Sequence, residues 1–138
     1  MHRTAFGAVQ VSPIVTFHNS LDNEPLKQKL KQAHILIVPS SYEGFGIVYL
    51  EGMAFGLPAI GTTAGAAGEI IEHEKTGYLI EPNDSAALAV HISQLASDRN
   101  LLTELSLNAR KRYMQQPSWN ETAGQIRAFL QSMTVPKV

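Results

Sequence analysis

"HILIVPSSYEGFGIVYLEGMAFGLPAIGT", residues 34–62, decides the fold. Its first seven residues are almost wholly apolar, as a strand covered on both faces of a parallel sheet must be. A glycine-bearing turn, "SYEGFG", follows, and the next residues read as a helix over 45–55 that Gly56 ends. "LPAIGTT", 57–63, starts another strand. Strand, turn, helix and strand in this order form a βαβ unit.

The flanks extend the alternation. Upstream, "PIVTFHN", 13–19, reads as a strand, and a helix is predicted over 21–33, where Asp22 or Asn23 can cap and Pro25 suits a first turn. Downstream, "TGYLIEP", 76–82, reads as a fourth strand. Three helices are predicted to finish the chain. One over 84–96 carries Leu88, Ile92 and Leu95 on one face, and one over 99–113 carries Leu101, Leu105 and Tyr113. The last, 118–133, begins "SWNE", so Ser118 and Glu121 can cap reciprocally, and Trp119, Ala123, Ile126, Leu130 and Met133 make an apolar stripe. There is no internal repeat, low-complexity tract or linker. The fold class is α/β, a parallel sheet flanked by helices.

Composition narrows the function classes. With 138 residues the chain makes one ordinary domain. Eleven Lys and Arg against 12 Asp and Glu leave a net charge of −1, so no strong basic field exists to hold a nucleic acid. Cysteine is absent, which removes thiolate chemistry and suits a reducing compartment. No apolar run approaches the roughly 20 residues of a membrane span, and the opening "MHRTAFGAVQVSPIV" lacks the parts of a signal peptide. The expectation is a soluble, cytoplasmic protein.

Within 34–62 the chemistry concentrates at the carboxyl end of a parallel strand, where open α/β sheets place their ligand crevices. Free N–H groups at the helix start, around 45–48, favour an anion such as a phosphate. Gly44 and Gly46 let a ligand approach the main chain. A carboxylate accepts hydrogen bonds from paired hydroxyls, so Glu51 suits a ribose or sugar, and Glu43 a second polyol group. On spacing alone the other reading stays open, in which both glutamates are solvated surface charges.

The whole run "PSSYEGFGIVYLEGMAFGLPAIGTTAGAAGEIIEHEKTGYLIEPND" resembles the donor-binding half of family 4 of the retaining, GT-B fold glycosyltransferases, known as glycosyl transferases group 1. The shared features are Pro39-Ser40, E-G-F-G, seven residues between Glu43 and Glu51, G-L-P, G-E-I-I, T-G-Y-L-I and the late Ser118-Trp119. The resemblance covers about residues 13–133. It implies a Rossmann-like parallel sheet, the C-terminal half of the GT-B fold, in an incomplete form. It implies that the donor is a nucleotide sugar, a UDP-sugar by frequency in the family, and that neither metal nor cofactor is needed. Glu43 then occupies the catalytic position and contacts the donor hexose. The N–H groups of Gly44, Phe45 and Gly46 lie near the sugar, and those of Ile47 and Val48 near the diphosphate. Glu51 binds the ribose hydroxyls. The reaction passes a hexosyl group to an acceptor hydroxyl with retention, by front-face attack.

This chain departs from the family pattern in places. Gly65, Ala66, Ala67, Gly68 and Glu69 stand where Gly-Gly-x-Pro-Glu is common, Phe17-His18-Asn19 where Phe-x-Gly is usual, and Asn120 where an acid often follows the Trp. Only 12 residues precede Pro13. The family's N-terminal acceptor domain, two further strands and a Lys/Arg pair on the diphosphate therefore have no place here, and residues 1–138 are expected to be one partial domain. The strand at 13–19 is expected to lack its neighbours, the Trp119 face of the last helix to be exposed, and exposed edges to invite self-association. An acceptor sugar or lipid is expected to reach the enzyme through the missing domain. The chain alone is expected to be inactive. The competing class is a non-catalytic nucleotide-sugar-binding or partner module of the same fold. A sugar-nucleotide epimerase is more distant.

Other residues carry plainer readings. His2, His18, His34, His73 and His91 show no metal-ligand spacing. Asp98 reads as a cap, 110–112 as cations at a helix C-terminus, and Lys75 as a solvated turn charge. Glu69 reads equally as a first-turn charge or a crevice residue.

Overall fold

The computed structural model describes residues 14–134. Three parallel strands form one sheet: β1 (Leu36–Val38), β2 (Ala59–Thr62) and β3 (Gly77–Ile80), in the order β1-β2-β3. Six helices surround or flank it: α1 (Asn23–Gln32), α2 (Ile47–Met53), α3 (Ala67–Ile70), α4 (Ser85–Ser97), α5 (Arg99–Met114) and α6 (Trp119–Thr134). Ile37 sits opposite Ile60, which sits opposite Tyr78.

Alternation along the strands sorts the core into two layers. Ala59, Leu36, Val38 and Leu79 face α2 and α3, where they meet Tyr49, Leu50, Met53, Ala67, Ile70 and Ile71. Ile60, Tyr78 and Ile80 face the opposite way and meet Leu95 of α4 with Leu102 and Leu105 of α5. The two crossovers, through α2 and α3, thus lie on one face and α4 on the other, while α5 serves both, with Ala109 in the first layer and Leu102 and Leu105 in the second. Ile37 keeps 37% of its surface open, because no described residue covers β1 fully on its second side.

Three helix boundaries follow from chemistry legible in the sequence. Gly46 takes a left-handed φ of 77°, so α2 begins at Ile47 rather than at residue 45. Gly56, at φ 75°, stops the chain after α2. At α6, the Ser118 N–H donates to Glu121 Oε2 at 2.7 Å while the Glu121 N–H donates to Ser118 Oγ at 3.3 Å, which is the capping box. That N–H bond holds the Glu121 carboxyl below the ordinary glutamate range. Its stabilising share is therefore present above the ordinary glutamate value and is lost as pH falls through the lowered one. A pH titration followed by NMR is expected to show the Ser118 amide and the Glu121 carboxyl moving together, below the ordinary glutamate range.

Asp98 caps α5, accepting from the N–H groups of Asn100 and Leu101, both at 3.0 Å. Asp84 does the same for α4 through the Ala87 N–H at 2.8 Å. Replacing Asp98 with alanine is expected to cost roughly 1 kcal/mol, read as a lower urea midpoint at unchanged slope.

One expectation is corrected. Residues 14–19 form no strand, and Pro13, with everything before it, lies outside the described residues. Ile14 and Phe17 are 88% and 78% exposed. A strand needs a partner for its N–H and C=O groups, and among the described residues the segment meets none. The next helix, α1, has no buried residue, and Asp22 stands at its N-cap without a side-chain bond. At the other end, the α6 stripe faces outward, with Trp119 86% exposed and Ile126, Phe129, Leu130 and Met133 also exposed. Among the described residues no helix is long and apolar enough to cross a membrane.

Candidate functional site

Past Val38 the chain leaves the sheet and is pinned by the strand beside it. The buried Thr62 donates its hydroxyl to the Ser40 carbonyl at 2.6 Å. Tyr49, wholly buried on α2, donates its hydroxyl to the Val38 carbonyl at 3.3 Å. Burial pushes this phenol up, the nearby negative charge of Glu43 adds to the shift, and the group remains a donor. Space for the ring comes from Gly61, where a Cβ would lie 2.7 Å from the Tyr49 hydroxyl.

Glu43 is held at its main chain. It forms an isolated parallel bridge with Gly65, and the Ala66 N–H donates to its carbonyl at 2.9 Å. Gly65 has φ 83°, and a Cβ there would collide with the main chain of Glu43. The glycine kept at this position thus preserves the close approach even though Ala66 and Ala67 replace the common Gly-x. Half-buried, the Glu43 side chain turns toward the opening of α2, where Oε1 accepts from the Gly46 N–H at 3.2 Å.

The N–H groups of Gly44, Phe45, Ile47 and Val48 have no acceptor among the described residues. Phe45 and Ile47 are exposed, Val48 is half-buried and Gly46 is buried. Glu51 lies one turn beyond Ile47 on the exposed side of α2, since Tyr49, Leu50, Gly52 and Met53 take the buried side. Its carboxylate has no hydrogen bond or ion pair among the described residues. The arrangement is an open ledge: unpaired main-chain donors, a carboxylate fixed from behind and a second carboxylate free to accept. Such a set binds an anion beside hydroxyl groups.

The other sequence candidates lie elsewhere. Glu69 is an exposed first-turn residue of α3, and its carbonyl accepts from Arg112 at 3.3 Å. Arg110 donates to the Ala54 carbonyl, just past the C-terminal end of α2, and sits over the Tyr113 ring at 5.7 Å. Lys75 pairs with Glu72 at 3.3 Å. His73 Nδ1 accepts from the Leu79 N–H at 2.9 Å, and His91 stacks on Tyr78 at 3.9 Å between centroids. His18 and His34 are exposed, and His2 lies outside the described residues. Among the described residues no three His, Cys, Asp or Glu side chains come together as a metal site.

Thr62 and Tyr49 escaped the sequence reading. Both act on carbonyls far along the chain, 22 and 11 residues away, which no local pattern announces.

Comparison with known proteins identifies the family and the fold. The profile of the family described as Glycosyl transferases group 1 matches residues 7–112. The N-acetyl-alpha-D-glucosaminyl L-malate synthase of Bacillus anthracis is 36% identical over 102 residues, covering 74% of this chain and 26% of its own length. Among solved structures, HepE of Anabaena in complex with UDP superposes with a TM-score of 0.73 at 28% identity, over 80% of this chain and 30% of that one. HepE is also known in complex with UDP-glucose. The C-terminal domain of the group 1 protein LpcC from Francisella tularensis superposes with a TM-score of 0.67 at 31% identity, over 72% of this chain and 51% of that one.

Proposed function

This chain belongs to the glycosyl transferases group 1 family, and from that premise we propose that it binds a nucleotide-sugar donor, with UDP as the nucleotide, along the ledge from Glu43 to Glu51. Its three parallel strands and flanking helices match the C-terminal half of the GT-B fold. HepE, which shares this fold, binds UDP and UDP-glucose. The observation that carries the reading is the unpaired Glu51 carboxylate, exposed one turn into a helix whose opening N–H groups are free.

In this reading Glu51 accepts from the two ribose hydroxyls. The N–H groups of Ile47 and Val48 meet the diphosphate, where the positive end of the helix favours negative charge. Those of Gly44, Phe45 and Gly46 line the hexose with the Glu43 carboxylate, the catalytic-position acid, which the Gly46 N–H holds while the Ala66 and Thr62 contacts fix the main chain of its loop. As the bond from the anomeric carbon to the diphosphate breaks, charge grows on the departing oxygen, and fixed N–H donors stabilise it without reorganising. The acceptor hydroxyl attacks from the same face and gives its proton to the departing diphosphate oxygen, which gives retention. The chain spans 26% of the length of its Bacillus relative, so hexosyl transfer to a sugar or lipid acceptor is proposed for the assembled enzyme, and this chain is proposed as one partial, donor-binding domain.

A non-catalytic donor-binding module is the second reading. It is favoured by the open side of β1 and the outward stripe of α6, both surfaces on which a separate polypeptide can sit.

Ligand-detected NMR against UDP-, GDP- and ADP-hexoses tests the donor site. Signals for UDP-hexose alone are expected. Affinity is expected to be weak, because losing one charge-assisted phosphate contact costs about 1.5–3 kcal/mol, or about ten- to a hundredfold. A folded chain that binds none of the three sinks the reading.

A further inference from the structure

We infer that the Thr62 hydroxyl is a positioning group for the sugar-reading half of this ledge, acting through the loop that carries Glu43. The inference rests on the donor-site reading and adds a residue to it.

The β1–β2 ladder ends where Val38 pairs with Gly61. By alternation Pro39, like Ile37, turns its main chain to the open side, and the next residue that faces β2 is Ser40. Among the described residues Ser40 has no main-chain bond to β2. Thr62, the last residue of β2 and 1% exposed, supplies the missing donor from its side chain, reaching Ser40 across the end of the sheet. The Ala66 N–H then takes the Glu43 carbonyl, so the four residues from Ser40 to Glu43 hang between two ties to one neighbouring segment.

Glu51 is placed by other means. Its helix is fixed by Tyr49, Leu50 and Met53 in the core layer against α3 and the sheet. Tyr49 also ties α2 to the end of β1 through the Val38 carbonyl, so the support that serves the Glu43 loop apart from Glu51 is the Thr62–Ser40 tie beyond it; the two carboxylates correspond to separate halves of the ligand, the hexose and the ribose. Loss of the Thr62 hydroxyl loosens the first half only. A group displaced by an ångström loses most of a hydrogen bond, so the effect concentrates on whatever affinity the hexose adds.

The experiment compares UDP and UDP-hexose binding by NMR titration in the wild type, Thr62→Val and Thr62→Ser. Valine keeps the shape and removes the donor, whereas serine keeps the donor. The expected result is unchanged UDP affinity in Thr62→Val, with the extra affinity due to the hexose reduced about tenfold, and recovery of that extra affinity in Thr62→Ser. Chemical shifts of the Glu43 amide should move in Thr62→Val while those of Glu51 stay.

Equal loss of both ligands in Thr62→Val, or an unaltered ratio between them, overturns the inference. A wild type that binds neither ligand overturns the donor-site reading and the inference with it. Should Thr62→Val fail to fold, Ala66→Pro removes the second tie from the loop beyond β2. It must then show the same loss of hexose affinity at constant UDP affinity, and a constant ratio there also overturns the inference.

Discussion

Glu51→Ala is expected to abolish measurable UDP-hexose binding while leaving the fold intact. The carboxylate is exposed and unpartnered, so its removal breaks no contact within the protein, and alanine is the better helix former. Surface changes of this kind stay within about 0.5 kcal/mol in stability. Binding is another matter. Two ribose hydroxyls donating to an ionised carboxylate are worth roughly 1.5–3 kcal/mol each, so losing both weakens binding by about two orders of magnitude or more. An already weak donor complex then falls below detection. Isothermal or NMR titration beside a thermal melt reads both quantities at once. Unchanged affinity would remove Glu51 from the site, and a collapsed melt would show a structural role that its exposure denies.

The largest stability effect is expected at Gly77→Ala. Gly77 opens β3 opposite Ala59 of the central strand, at φ 155°. A Cβ there would fall inside the Ala59 carbonyl and against its N–H. No flexible side chain can yield, since the obstacle is the backbone of β2. Destabilisation of about 4 kcal/mol or more is expected, against a total of roughly 5–15 kcal/mol for an ordinary domain. The urea midpoint should fall steeply, and the fold should be lost altogether if the total lies at the lower end of that range. Gly44→Ala is the control. A Cβ at Gly44 meets nothing within 4 Å, and only a small change in stability is expected.

These positions also show what a sequence can announce. The capping box was readable from Ser118 and Glu121 because both partners lie within one turn, and the structure forms it. The carboxylates at 43 and 51 were readable as candidates because their spacing and flanking glycines are local. The segment "IVTF", 14–17, has every local mark of a strand and forms none, since strand formation is a property of two segments and its second is not among the described residues. Likewise, nothing in "AIGTT" says that Thr62 reaches Ser40, or in "GIVYLEG" that the Tyr49 hydroxyl reaches Val38. The stack of His91 on Tyr78 was as invisible, being made by a helix and a strand from different parts of the chain. Local chemistry was legible, and long-range satisfaction of carbonyls was not.

The two borders of the sheet are unlike. On the outer side of β3, the Gly77 carbonyl accepts from the Glu74 N–H at 2.8 Å and the Leu79 N–H donates to His73, so the turn before the strand folds back and occupies that border. Beside β1, the Leu36 N–H points inward to Pro58, and by alternation the main-chain groups of Ile37 face the unpaired side. A tile with one sticky border and one finished border cannot build a ribbon. If copies of this chain meet through their sheets, the bare border of one can join only the bare border of another, and the six-stranded product has finished borders at both ends. Such association terminates at two, so light scattering at rising concentration should plateau rather than climb.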